Sequence, residues 1–341
     1  MVFRASPCAP FPLANSAVVL LVDRSQAMDL GYLKSKESGF IAGMILCTAF
    51  MGSSFPSGKY LISEEAMPAF YAGGWRFLLA GGLILAFCAA KDGLGAILPA
   101  SGGSVIKGAL FVLVVGCLQT AGTMGFLNLA LTTLSASMAS LLLFTNPLWV
   151  AILAHFALGE TLSWHKVVAL VCGILGVSLC LGGGADHGLG GIVIALAGSL
   201  CWALCTLISK KHKFDKSVFV FTGWQLTLGA LVMLAISKLS GEAYDIDRIT
   251  GWGIACFIWL VGPASIGSFG LWFTALSRRG ATVTSSYLFL VPLFSAVFSM
   301  MVLGEAVSPH SLIGGAIIIV ALWLINLPQT VSAVWRERLG L

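Results

Sequence analysis

Charge is what this chain has least of. Asp, Glu, Lys and Arg make up 10% of its 341 residues, against about 25% in a soluble domain, so the sequence could not solvate the surface of a water-soluble body. The scarcity is also uneven. None of the 14 acidic residues falls inside the long apolar stretches described below, and the histidine nearest to membrane depth is His155. Proton relays in membranes are built from Asp, Glu or His, so coupling to protons through a buried carboxylate is not expected. There is no HExxH zinc pattern and no metal-ligand spacing of cysteines. Eight of the nine cysteines (Cys47, Cys88, Cys117, Cys172, Cys180, Cys201, Cys205 and Cys256) lie in or beside apolar stretches, where they behave as small hydrophobes. No metal and no cofactor is expected. The first 37 residues lack a spanning segment, because their longest apolar run, Ala17 to Val22, is cut by Asp23 and Arg24. Residues 1–37 are therefore expected to be a disordered cytoplasmic extension, neither anchor nor signal peptide, with Met28 as an alternative start.

What remains is strongly apolar, with 58% hydrophobic residues and a mean hydropathy of +0.97. Ten apolar stretches follow one another, at 39–61, 67–90, 106–130, 134–156, 165–183, 189–209, 217–238, 252–275, 282–303 and 309–327. A hydrocarbon core of about 30 Å needs about 20 helical residues to cross, and backbone groups in lipid must be satisfied within their own segment. The expectation is an all-α integral membrane protein of ten transmembrane helices. Lys and Arg are retained on the cytoplasmic side of short loops. With the N-terminus inside, 15 of the 19 basic residues fall on the inner side, only Lys238 and Arg248 lie in outer loops, and Lys59 and Arg76 lie within spans. Both termini are thus expected in the cytoplasm of a cell whose inner membrane holds the chain. The net charge of +5 reads as a topology signal, and no nucleic-acid partner is expected.

The two halves repeat each other. A shift of 145 residues lays Ala130-Leu131 on Ala275-Leu276, Pro147 on Pro292, Leu158-Gly159-Glu160 on Leu303-Gly304-Glu305, Ser163 on Ser308 and His165 on His310. A slightly larger shift lays Lys59 on Lys210 and Trp75-Arg76 on Trp224-Gln225. Five spans per unit is an odd number, so the second unit crosses in the opposite sense and the repeat is inverted. The units are 38–183 and 189–328, joined by the Gly-rich Gly182 to Gly191 link and followed by a cytoplasmic tail at 329–341. Inverted repeats give two mirrored arrangements of similar energy, which is the basis of alternating access in secondary transporters.

The residues Met51-Gly52-Ser53-Ser54-Phe55 with Lys59, Pro68 with Trp75-Arg76-Phe77, Asn146-Pro147-Leu148 and Leu158-Gly159-Glu160 carry a resemblance. Trp202-Ala203, Lys210, Pro292 and Leu303-Gly304-Glu305 echo them in the second half. Together they resemble the EamA-type transporters of the drug/metabolite transporter superfamily, over about 290 residues, with Met51 where that family commonly has Trp. The resemblance implies ten helices in two inverted five-helix units, a central cavity, and export of amino acids, related metabolites or toxic small molecules. It does not name a substrate.

Candidate residues follow from position. A charge in the bilayer costs about 2.5 to 3.5 kcal/mol on insertion scales and faces a protein interior or a watery cavity. Arg76, about nine residues into its helix, is therefore a substrate-path candidate, with a structural ion pair to Glu64 or Glu65 as the competing reading. Lys59, near a helix end, can snorkel to the interface. Gln225 falls on Arg76 in the repeat and joins the path candidates, with Gln119, Asn146, Trp202, Trp272 and Tyr287. Pro147 and Pro292 are hinge candidates, since a proline in mid-helix frees a carbonyl and bends the helix. Glu160 and Glu305 precede helix starts, where a carboxylate is favoured by the dipole, and read as structural loop carboxylates.

The competing classes are weaker. A membrane-embedded hydrolase would use Ser265, but a serine nucleophile needs a base within hydrogen-bond reach and His155 lies at another depth, so no catalytic residue is assigned. A channel has no need of mirrored gates. Among transporters, a pump for organic cations would need a carboxylate in the membrane, and a phosphorylated-metabolite antiporter more deep basic residues. A zwitterionic or carboxylate-bearing small molecule suits Arg76 and Lys59 best.

Overall fold

The computed structural model describes residues 15–101, 103–158, 164–181, 189–211, 214–272, 274–275, 284, 287–306 and 309–325. Within them the chain is helical, and no strand forms beyond one isolated bridge between Ser101 and Ser104. The helices are α1 Asn15–Ser63, α2 Ala69–Asp92, α3 Val105–Gly116, α4 Gly125–Ala130, α5 Ala136–Leu143, α6 Asn146–Leu158, α7 Trp164–Leu181, α8 Leu189–Lys211, α9 Val218–Leu239, α10 Gly251–Val261, α11 Leu290–Leu303 and α12 Pro309–Ile325. Two compact units are distinguished, Met1–Gly43 and Met44–Leu341; the contacts that build the site lie within the second.

Seven helical segments among the described residues are long and apolar enough to cross a membrane, and three shorter apolar helices, Lys166–Gly176, Leu290–Leu303 and Leu312–Ala321, occupy the remaining predicted stretches. Helix α1 reaches back to Asn15, into the stretch expected to lack structure. No proline lies between Pro12 and Pro56 to interrupt it, and the intervening residues include good helix formers. Large apolar side chains such as Phe87, Ile106, Ile174, Ile258 and Met301 are exposed on the outside of the bundle. In water each would forfeit its hydrophobic stabilisation; in lipid they are solvated.

The helices pair across the two halves. Helix α2 packs along α9, α7 along α12, α5 against α11, and α4 against α8. Glycine makes close approaches possible on α2 and on α1. A Cβ at Gly81 would stand 2.7 Å from the Gly223 carbonyl on α9, and one at Gly52 would stand 2.6 Å from the Phe294 Cβ on α11. Hydroxyl side chains cap helix starts: Ser135 accepts from the Met138 N–H at 3.2 Å and Thr250 from the Gly253 N–H at 3.1 Å, each worth about 1 kcal/mol.

Three of the predicted spans are irregular. The third passes through a π-helical segment, Cys117–Met124, and the eighth through another, Gly262–Gly267. The 145-residue shift maps Cys117 onto Gly262, so both wide turns begin at the same place in their repeats. The fourth breaks at Phe144 and Thr145, between α5 and α6. There the Thr145 N–H bonds back only three residues, to Leu142, and the Leu148 N–H three residues, to Thr145. Pro147 has no N–H to give to Leu143, which is why the α-ladder stops here. In the second half a 3-10 turn, Tyr287–Phe289, stands at the corresponding place before Pro292, and the α-helix that follows it is Leu290–Leu303; the predicted start of this span at 282 lies outside the described residues.

Candidate functional site

Arg76 sits on α2 with 8% of its surface exposed, and is the one charged residue among the buried side chains described. Its Nε donates to the Ser265 Oγ at 3.1 Å, and its guanidinium lies 4.6 Å from the centre of the Phe77 ring. Ser265, in the π segment after α10, passes its own proton to the Leu260 carbonyl at 2.7 Å. That side-chain bond reaches back five residues along the wide turn, and it leaves the hydroxyl lone pairs for Arg76. The pairing with Glu64 or Glu65 does not form. Glu65 instead accepts from the Thr250 N–H at 3.1 Å and from the Thr250 hydroxyl, capping the approach to α10. Two terminal nitrogens of Arg76 are left with no hydrogen-bond partner among the described residues, yet they are not among the fully enclosed unpartnered atoms.

Gln225 is 7% exposed on α9, and its backbone carbonyl accepts from the Thr120 hydroxyl at 3.2 Å. Thr120 is the residue that the 145-residue shift places on Ser265, as Gln225 is placed on Arg76. Each α2-type helix is thus tied to the π segment of a third-span-type helix, once as Arg76 with Ser265 and once as Gln225 with Thr120. Gln119 lies half-buried in the same π segment. Asn128 is engaged in a bridge to the Ala69 carbonyl at 3.1 Å.

The broken fourth span holds a second cluster. The Thr145 and Ser199 hydroxyls are 3.1 Å apart, the Phe144 and Trp202 rings meet edge to face with centroids 5.5 Å apart, and Phe55 lies 6.3 Å from Phe144. Asn146 follows the break, 9% exposed, with its Nδ2 enclosed and unpartnered. A buried amide donor without a partner costs about 1 to 3 kcal/mol, a cost that persists in proteins where a ligand or a second conformation supplies the acceptor. Trp272 and Tyr287 are half-buried; neither shares a described contact with Arg76.

A third cluster gathers at one end of the bundle. The Lys59 ammonium donates to the Leu131 carbonyl at 2.6 Å, beyond the end of α4. The Glu305 carboxylate accepts from the Ala136 N–H at 3.1 Å, at the start of α5, and Ser295 donates to the Ala136 carbonyl at 3.2 Å. Glu305 lies within electrostatic reach of Lys59 without a direct ion pair. The short connection from Leu131 to Ala136 is therefore pinned at one end by a cation and at the other by an anion. The helix that Glu305 caps belongs to the first repeat, whereas the sequence suggested the helix that follows it. Glu160 lies outside the described residues, as does most of the Gly182 to Gly191 link.

The sequence did not single out Ser199 or Phe144, named Phe55 only within the motif that carries the resemblance, and weighed Ser265 only as a nucleophile. The available signal for Ser265 was its place in the repeat opposite Thr120.

An all-helical chain with this much outward-facing apolar surface, folded from two halves whose irregular segments recur at mirrored places, is a multi-pass membrane protein of the transporter class. The chain belongs to the EamA-like transporter family, whose sequence profile matches residues 39–182 and 189–327. It is 27% identical over 315 residues to the WAT1-related protein At3g02690, chloroplastic, of Arabidopsis thaliana, covering 88% of this chain and 72% of that protein. An uncharacterized transporter of Clostridium kluyveri is 26% identical, with 83% and 91% covered. A solved structure described as "Crystal structure of protein" superposes with a TM-score of 0.58 at 20% identity, over 83% of this chain and 94% of that one, a likeness of fold. The protein is a transporter and not an enzyme.

Proposed function

We propose that the protein exports amino acids or related small metabolites across the cytoplasmic membrane by alternating access, with ten membrane helices and both termini inside. The observation that carries this is the mirrored pair of irregular segments. Unwound or wide turns near the middle of membrane helices occur where the backbone lines a cavity or a site, and here they recur in both halves at repeat-related positions. Two mirrored sets of weak points are what a carrier needs to open first on one side and then on the other. The substrate reading rests on Arg76. A buried guanidinium with two nitrogens unpartnered among the described residues is matched by a planar carboxylate, which it can grip with two parallel hydrogen bonds.

A phosphorylated metabolite is less well served, because a dianion calls for more than the single buried cation described. A cationic drug finds no carboxylate beside Arg76. Efflux of a panel of labelled amino acids, from cells lacking and cells overproducing the protein, tests the proposal. Saturable efflux with counterflow of a carboxylate-bearing substrate supports it. Flux that does not saturate would point to a channel, and no amino-acid flux would remove the substrate class.

A further inference from the structure

A pocket of about 290 Å³ lies between α5, α11 and α12, and Arg76, Ser265, Phe144 and Trp202 do not line it. Its upper wall holds Ser135, Ser137 and Glu305, and its deeper wall Leu141, Pro292 and Ile319. Helix α12 rises about 1.5 Å per residue, so the path from Leu312 at the mouth to Ile319 is about 10 Å long. Two of the lining residues, Leu293 and Leu312, are among the large apolar side chains exposed on the outside of the bundle. One wall of the pocket is therefore continuous with the surface that meets lipid.

The polar end is built and unsatisfied. Glu305 gives its carboxylate to the Ala136 N–H, and that contact leaves acceptor sites over. Lys59 is within electrostatic reach but spends its short hydrogen bond on the Leu131 carbonyl. Ser137 is 7% exposed, lines the pocket, and its Oγ has no hydrogen-bond partner. An anion acceptor beside an idle hydroxyl, at the mouth of an apolar shaft open to lipid, matches a head group with an ammonium donor and an acceptor oxygen on an alkyl chain.

We propose that this pocket is a binding site for a phospholipid with a primary ammonium head group, phosphatidylethanolamine in chemistry. Its ammonium donates to Glu305, a phosphate or ester oxygen accepts from Ser137, and one acyl chain lies along Leu141, Leu293 and Ile319 down to Pro292. The site stands apart from the substrate reading, since its occupant enters from the bilayer and is not carried.

The test uses the full-length protein purified with its lipids exchanged for equal mixtures of phosphatidylethanolamine, phosphatidylcholine and phosphatidylglycerol, and native mass spectrometry to count what stays bound. Phosphatidylcholine carries the same positive charge without an N–H donor, so a charge-assisted hydrogen bond to Glu305 predicts retention of phosphatidylethanolamine over it by about ten-fold or more. Glu305→Gln should abolish that preference. Because this variant also alters the cap of α5, Ala316→Phe provides a second arm: Ala316 is an exposed lining residue, and a ring there fills the shaft and should displace the retained lipid while transport and folding persist. Equal retention of the three lipids, a preference for phosphatidylglycerol, or unchanged retention in Ala316→Phe would each overturn the proposal.

Discussion

Arg76 donates its Nε to the Ser265 hydroxyl at 3.1 Å, and the residues that stand in their places in the other half, Gln225 and Thr120, also meet, through the Gln225 carbonyl at 3.2 Å. The shared architecture is a second-span helix tied to a wide turn. The difference is chemical: one half offers a guanidinium and the other a neutral amide. On the proposed function, that difference is the one charged pole available to orient a substrate with a carboxylate.

Changing Arg76 to Gln makes the two halves alike at this place. It should raise the half-saturating concentration for an anionic or zwitterionic substrate by about ten-fold to a hundred-fold, with protein abundance little changed. Lys should rescue only in part, because an ammonium keeps the charge and loses the fork. Ser265→Ala should cost less, since the two terminal nitrogens remain. Neutralising Glu64 and Glu65 together with Arg76 should restore nothing, given that Glu65 serves Thr250. Uptake or efflux kinetics at matched membrane abundance decide it, and normal affinity in Arg76→Gln would leave the residue as scaffold.

Lys59 and Glu305 hold the two ends of one short connection, at the Leu131 carbonyl and the Ala136 N–H. Losing either contact should free that end of the bundle by about 1 to 2 kcal/mol, a factor of about 5 to 30 in the population that is open there. Ser57, buried just inside Lys59, provides the reporter. In a background without native cysteines, Ser57→Cys should react faster with a membrane-impermeant thiol reagent when Lys59→Met or Glu305→Gln is added. The double variant should gain less than the sum, since both anchors act on the same connection. Unaltered labelling in both single variants would show that the clamp does not gate.

The orientation proposed for the chain rests on basic residues, 15 on one side and two on the other outside the spans. A C-terminal fusion to a phosphatase that folds only outside the cytoplasm should be inactive, and a fluorescent-protein fusion at the same end bright. High phosphatase activity at the C-terminus would overturn the even span count or the inward N-terminus.

Most of the helical order was legible because hydropathy is a local property: a run of apolar residues declares itself without its neighbours. The two-fold repeat was legible for a similar reason, since Pro147 and Pro292, or Glu160 and Glu305, are matched by counting. Other features depend on distant partners and left little trace. The π segment at Cys117–Met124 is rich in small residues with little in its propensity to distinguish it from ordinary helix, whereas the one at Gly262–Gly267 opens on Gly262-Pro263, a breaker signal that was present in the sequence. The partner of Arg76 is 189 residues away, whereas the nearby Glu64 and Glu65 looked adequate from sequence. Glu305 was legible as a capping carboxylate, yet its helix lies 169 residues back in the other repeat. Pro147 marked the broken span, but the break itself falls at Phe144 and Thr145, because a missing N–H is felt by the carbonyl four residues earlier.

That displacement makes the prolines testable as hinges. With Ala at 147, the new N–H can reach the Leu143 carbonyl, the i−3 bonds at Thr145 and Leu148 can revert to i−4, and α5 can run on into α6. A proline in a helix interior costs about 3 kcal/mol, so Pro147→Ala should stabilise the purified protein while making the bend harder to form. Turnover should then fall by about ten-fold for each 1.4 kcal/mol lost from the bent state, with the half-saturating concentration little changed, since Pro147 touches no charge. Pro292→Ala should do the same in the other half, where the 3-10 turn Tyr287–Phe289 would become α-helix. If the two prolines serve opposite openings, counterflow measured with substrate on either side should show each variant slowing a different half of the cycle. Equal slowing of both halves by each variant would make the breaks a shared scaffold, and unchanged turnover in both variants would remove their hinge role.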